Sequence, residues 1–293
     1  MMSCILPLYI AVFSLAGPAG HARWQQVDEA DALYAARENL DSARRAAGIW
    51  ADRLQKNPKD FESAWKLARA RFWLGGHAAD AERKAVLEAG IAVAREAAQL
   101  QPSRPEGHFW MAANMGELAE SHGMRQGLKY RGDIKEALLT VLKLDPAFQQ
   151  GSADRALGRW YYKVPGLFGG SNKKSEEHLR KSLTYNPQST ASLFFLSETL
   201  IDQGRKDDAR LELKRTLDAP LDPDWAPEDR EFKKKAEALL KTLQRPPSPA
   251  SGSLARYGET SPKPWRRRAD ATGRTCKTPA PISSRDVPRA PSA

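Results

Sequence analysis

Cysteine is nearly missing. Two occur in 293 residues, Cys4 and Cys276, which excludes a disulfide-built fold and a cysteine-based structural zinc site. Long apolar runs are missing as well. The uncharged stretch from Ile5 to Ala19 falls short of the roughly 20 residues of a membrane span, so a multispan membrane protein is excluded. Between Lys59 and Asp224 there is no sustained apolar–polar alternation with β-branched enrichment, and the segment reads as all-α.

Signatures of chemistry are also absent. Gly169-Gly170-Ser171-Asn172-Lys173 lacks the last glycine of a nucleophile elbow. Gly166 to Ser175 has the wrong spacing for a phosphate-binding loop and follows a helical pattern. There its glycines supply a sharp turn, with Ser171 or Asn172 capping the next helix. The histidines, His21, His77, His108, His122 and His178, show no metal-ligand spacing. His108 and His122 flank one helix, about 21 Å apart along its axis. His77 follows Gly75-Gly76, which reads as an exposed turn. The clustered carboxylates, Glu176, Glu177, Asp207, Asp208, Glu228 and Asp229, suit the first turns of helices, where they favour the positive end of the dipole. No enzyme, cofactor or metal is expected.

What is present is organised. Residues 1–22 carry no Lys, Arg, Asp or Glu, and the apolar run ends in Gly20-His21-Ala22. That is the layout of a signal peptide cut after Ala22, hence an exported, periplasmic or secreted protein. Residues 245–293 hold ten Lys/Arg, three Asp/Glu and nine prolines, +7 of the chain's +10. The basic character therefore belongs to a Pro/Ser/Arg-rich tail, read as disordered because it offers too little apolar surface to offset ordering. Its Trp265-Arg266-Arg267-Arg268 run leaves open a membrane or nucleic-acid tether. The body, 23–244, is the folded domain.

That body repeats. Prolines 58, 102, 146 and 187 recur at spacings of 44, 44 and 41 residues. Eight and four residues before them stand Trp50/Leu54, Ala94/Ala98, Leu138/Leu142 and Leu179/Leu183; each pair lies on one helical face. Ten residues after them come Ala68, Ala112, Ala156 and Ser197, small enough for two helices to approach closely. Leu213/Leu217 mark a fifth unit. Residues 227–243, with Phe232, Ala236, Leu239, Leu240 and Leu243 on one face, read as a capping helix. The fold class is an α-solenoid of helical hairpins.

The pattern resembles the tetratricopeptide repeat, best in Ser189–Asp218, where Leu196, Ser197, Leu200, Gly204, Ala209 and Leu213 occupy that repeat's apolar, small and turn positions. Earlier units are longer, with extensions at Glu82–Glu88, Ser121–Arg131 and Lys163–Asn172 expected between the helices of a hairpin. The stretch Leu157-Gly158-Arg159-Trp160-Tyr161-Tyr162-Lys163-Val164-Pro165-Gly166-Leu167-Phe168-Gly169-Gly170-Ser171, with Phe109–Asn114, resembles the T-component family of periplasmic TRAP transporters over about residues 30–243. Eukaryotic regulators of microtubule dynamics share a similar Gly-Arg-Trp hairpin; the signal peptide argues against that branch. The T-component likeness implies a solute-transport accessory whose partner is a periplasmic solute-binding protein.

Aromatics cluster at Phe72-Trp73, Phe109-Trp110, Trp160-Tyr161-Tyr162 and Phe194-Phe195, in the first helix of each unit. Adjacent residues point about 100° apart, so one can be core while its neighbour faces a concave groove. Arg69, Arg71, Arg125, Arg155 and Arg159 lie near them and can receive an acidic partner. The groove candidates are Trp110, Asn114, Arg159, Trp160, Tyr161 and Phe168, the last three with the loop 163–171. The expected function is a non-enzymatic scaffold holding a protein or peptide, with a small ligand and self-association open and nucleic acid disfavoured. An enzyme using the groove is the alternative; no constellation supports it.

Overall fold

The computed structural model describes residues 28–244. The expected signal segment and the basic tail lie outside the described residues, as does the predicted cleavage site. Eleven α-helices, and no strand, occur among the described residues: α1 Glu29–Ala35, α2 Leu40–Lys56, α3 Phe61–His77, α4 Asp80–Leu100, α5 Pro105–His122, α6 Met124–Leu144, α7 Phe148–Lys163, α8 Asn172–Tyr185, α9 Thr190–Asp202, α10 Lys206–Asp218 and α11 Ala226–Gln244. A short 3-10 turn, Gly166–Phe168, precedes α8. No described helix is long and apolar enough to cross a membrane.

The helix boundaries follow local chemistry. Asn57, Asp145 and Asn186 each end a helix in extended geometry, the conformation a following proline imposes, and Gln101 before Pro102 likewise leaves the helical region. Side chains cap the starts of α3, α8 and α9: Asp60 accepts from the Ser63 amide at 3.1 Å, Ser171 from Lys174 and Ser189 from Ser192. Pro105 opens α5 at a position where no amide hydrogen bond is lost.

The helices form five antiparallel hairpins, α1–α2 to α9–α10, closed by α11. The first helices of successive hairpins (α3, α5, α7, α9, α11) touch one another, whereas the second helices touch their own partner and the flanking first helices. The first helices therefore form the inner layer of a curved array. The α-solenoid with its capping helix is the observed fold.

Two of the three extensions are not loops. Glu82–Glu88 forms the first turns of α4, and Ser121–Arg131 mostly belongs to α6; both helices run to 21 residues. Neither segment contains proline, so the extra length propagates as helix once nucleated. Only Lys163–Asn172 interrupts the array. His77 is likewise not in an exposed turn. Gly75 and Gly76 continue α3 because Gly75 lies under Leu87, where a Cβ would come within 2.3 Å. The ring of His77 stacks on Trp73 at 3.8 Å.

The core is one large cluster from α1 to α7, with two smaller ones beyond it. Trp50, Leu87, Leu118, Leu138 and Leu157 are wholly buried in the first, each contributing about 1.5–3 kcal/mol or more by leaving water. Leu179, Leu196, Leu200 and Ala209 form the second, and Phe194, Leu213 and Ala236 the third. A polar seam separates the first two. Asp154, fully buried, meets His178 at 2.7 Å, and Ser175 Oγ meets Thr199 Oγ1 at 2.8 Å.

The curvature brings the ends of the array together. Arg37, after α1, donates to Glu228 of α11 at 3.0 and 2.5 Å and to the Asp224 carbonyl at 2.8 Å. Glu38 pairs with Arg230, and His77 with Glu231 at 2.5 Å. Trp225 packs against the main core.

Candidate binding groove

The structure divides the six groove candidates. Trp110 is 2% exposed and packs edge-on against Phe109. Asn114, fully buried, donates to the carbonyls of Ala68 at 3.0 Å and Trp110 at 2.8 Å. It ties α5 to α3 and rests against Gly90 of α4. The expectation that these two face a groove thus meets a packed interior: on an inner helix the face opposite the outer helices is itself covered by the next inner helix.

Arg159 lies on the inner face between two carboxylates. It donates to Glu120 of α5 at 3.0 and 2.9 Å and to Glu198 of α9 at 2.6 Å, and its guanidinium sits 4.5 Å over Phe195. Burial works against both charges. The mutual hydrogen bonds outweigh it, holding Glu120 below and Arg159 above their ordinary ranges. Its charge is therefore already neutralised by the fold.

Trp160, Tyr161 and Phe168 do come together, at the edge where α5 meets α6 and α7 meets α8. Trp160 donates from Nε1 to the Arg131 carbonyl at 2.9 Å, and Tyr161 stacks on His178 at 5.4 Å. Both are under a tenth exposed. The loop beyond them is held by the Ser171 amide donating to the Tyr161 carbonyl at 2.8 Å and the Phe168 amide to the Pro165 carbonyl at 2.8 Å. Gly169 adopts φ +103°, which a side chain would strain, and Gly170 leaves no room for a Cβ against the Val164 carbonyl. Leu167 and Phe168 are the side chains this frame presents to solvent.

A cavity of about 460 Å³ opens at the opposite edge. Its walls come from the start of α7, the α8–α9 turn and the α10–α11 loop, with Arg155, Tyr185, Trp225 and Phe232 among them. Gln149 and Gln150 hold left-handed backbone at φ 44° and 59° beside it. Such residues cost about 1–3 kcal/mol each and persist only where surroundings over-determine them.

Arg155 is the unusual member. Enclosure by protein lowers its pKa to about 10. The nearest carboxylates are otherwise engaged: Glu228 holds Arg37, while Asp229 accepts from Thr190 Oγ1 and from the Asp222 amide. Arg69, by comparison, pairs with Asp31 at 3.6 Å and stacks over Tyr34 at 4.1 Å, and Arg71 donates to the Ala89 carbonyl at 2.7 Å. Among the described residues Arg155 has no carboxylate within 4.0 Å. The sequence placed Arg155 among five arginines; nothing local distinguished it, because its neighbours come from segments up to about 75 positions away.

Comparison with known proteins bears on the fold. Residues 26–168, just under half of the chain, match the family model described as regulator of microtubule dynamics protein 1-3. This is the branch that the expected signal peptide argued against, and the expectation against it is corrected here; the T-component likeness gains no support. No curated protein matches the chain. A thermophilic TPR protein from Thermus thermophilus superposes with a TM-score of 0.55 at 19% identity, covering 72% of this chain and 95% of that one. MamA reaches a TM-score of 0.44 at 16% identity, covering 71% and 98%. The first of these likenesses identifies a tetratricopeptide-like helical-repeat fold.

Proposed function

We propose that the chain is a non-enzymatic scaffold that holds a protein or peptide at the mouth of its inner face, seating an acidic side chain or C-terminal carboxylate on Arg155. The observation that carries this reading is a guanidinium, unmatched among the described residues, beside a cavity walled by Tyr185, Trp225 and Phe232. Arginine presents a planar fork suited to a carboxylate, and the aromatic walls suit the body of a bound segment. Arg159, by contrast, is occupied by Glu120 and Glu198.

The test uses the full chain and a panel of peptides with acidic or amidated C-termini. Arg155→Gln should reduce binding of the acidic members by about tenfold or more, the worth of one charge-assisted hydrogen bond. It should leave the melting temperature unchanged or raised, because an enclosed charge is removed. Equal binding by the variant refutes the reading.

Two narrower readings have their own support. A T-component-like accessory of periplasmic transport rests on the Pro165–Ser171 turn and the Ile5–Ala22 segment. It requires a mature chain starting at Arg23 and recovery of a solute-binding protein from the exported fraction. A role in microtubule dynamics rests on the match over residues 26–168, and co-sedimentation with microtubules tests it.

A further inference from the structure

Around the α7–α8 loop, charge and apolar surface are arranged in a way the scaffold reading does not use. Leu167 is 90% exposed and Phe168 is 39% exposed. The hydrogen bonds that fix this loop hold both side chains out on a rigid turn. Residues 121–132 and 163–175 hold six Lys and Arg and no Asp or Glu. The fold joins these stretches: the Arg131 guanidinium lies 5.7 Å from the Phe168 ring, Lys135 lies 5.2 Å from Trp160, and Lys174 lies 5.5 Å from Tyr161.

The cations here are mostly uncommitted. Lys163 pairs with Glu120 at 3.5 Å. Among the described residues Arg125, Lys129, Arg131, Lys135, Lys173 and Lys174 have no carboxylate within 4.0 Å. Exposed acids close by in sequence are Asp133, Glu136 and Glu177; Glu176 is held by Arg180 and Arg205. The helix starts differ in the same sense. The first turns of α4 and α10 carry Asp80 with Glu82 and Asp207 with Asp208, complementing the dipole. Those of α6 and α8 carry no acid, and α8 places Lys173 and Lys174 there, where the dipole disfavours them.

We propose that this edge docks on an anionic lipid surface, with Leu167 and Phe168 entering the headgroup–acyl boundary while Arg131, Lys135, Lys173 and Lys174 meet the lipid phosphates and carboxylates. An apolar tip inside a collar of lysine and arginine matches the layering of a leaflet, whose anionic plane overlies hydrocarbon. A protein partner would need a pocket for a side chain that projects as far as Leu167 does. Long, uncommitted lysines suit the diffuse charge of headgroups better than a fixed set of carboxylates.

The test is sedimentation of the full chain with phosphatidylcholine vesicles, with and without phosphatidylserine, across a salt series. The wild type should bind the phosphatidylserine vesicles and be released as salt rises. Leu167→Asp should weaken binding about tenfold or more with unchanged helicity, since the side chain makes little contact with the fold. Lys173→Glu with Lys174→Glu should weaken it roughly fivefold per residue and yet raise the melting temperature, because acids suit that turn. A role in packing alone moves both readouts the same way. Wild-type binding that Leu167→Asp leaves intact overturns the proposal, as does failure of the wild type to bind. Equal, Leu167-dependent capture by soluble polyglutamate also overturns it, assigning the edge to an acidic protein.

Discussion

His77 stacks on Trp73, hydrogen-bonds its carbonyl at 2.7 Å and meets Glu231 at 2.5 Å. Burial alone would lower the imidazole pKa. The bonds to Glu231 and to the Trp73 carbonyl outweigh it, so the group lies above its ordinary 6.5. Burial would raise Glu231, but the bond from His77 carries it below its ordinary 4.5. For the raised imidazole, stabilisation is complete below 6.5 and is lost as pH climbs through the folded value. For the depressed carboxyl, it is present above 4.5 and is lost as pH falls through the folded value. Both conditions hold between those limits. His77→Phe, which keeps a ring on Trp73, should therefore cost most stability at about pH 5–6 and progressively less towards alkaline pH. Thermal melts of both proteins across pH measure this; a cost independent of pH would mean that the ring packs as a neutral group.

Helix α5 shows how packing reverses a general preference. Glycine in a helix interior is worse than alanine by about 1 kcal/mol. At Gly116 nothing lies within 4 Å of an added Cβ, but at Gly107 the backbone of Ala98 would stand 2.4 Å away. Gly116→Ala should accordingly stabilise the protein by about 0.5–1 kcal/mol. Gly107→Ala should destabilise it by about 1–3 kcal/mol, because α4 and α5 must separate. Chemical denaturation of the two variants should give shifts of opposite sign. The repeat was legible here in Ala112, ten residues beyond Pro102, which is 2% exposed. The distinction between the glycines was not, since it depends on which face meets α4.

At the scale of the whole array, the decisive contacts join the first and last of its described helices. Arg37 is 3% exposed. Both its pKa and that of its partner are raised, with opposite effects on charge: burial would lower the guanidinium, but the bond to Glu228 overcomes it and favours the charged form, whereas burial raises Glu228 towards the neutral acid. The two-pronged contact and the Asp224 carbonyl favour the charged pair at neutral pH. Arg37→Ala should cost about 3–5 kcal/mol, because Glu228 is left enclosed without its counter-charge. Replacing both residues by Met should cost far less. In a plain repeat array each unit feels only its neighbours. Here hydrogen exchange in Arg37→Ala should speed up in both α2 and α11; an effect confined to the α1–α2 hairpin would show that the closure does not couple the ends.

The sequence by itself determined the order of the hairpins and the proline-marked helix ends, though not the added helical turns of α4 and α6. Prolines 58, 102, 146 and 187 stop helices wherever they occur, and the paired apolar positions before them have one face to bury; both effects act within a few residues. It also marked the Pro165–Ser171 turn, because glycine and proline restrict the backbone locally. Only the tertiary structure decided how the array curves, and therefore which side chains the curvature encloses. Trp110 and Asn114 were legible as inner-helix residues but not as interior ones. Arg155 and Arg159 are alike in sequence, one turn apart on α7, yet Glu120 and Glu198 reach only the second. Ion pairing across a solenoid depends on the distance between elements far apart in the chain, and no local pattern encodes that distance.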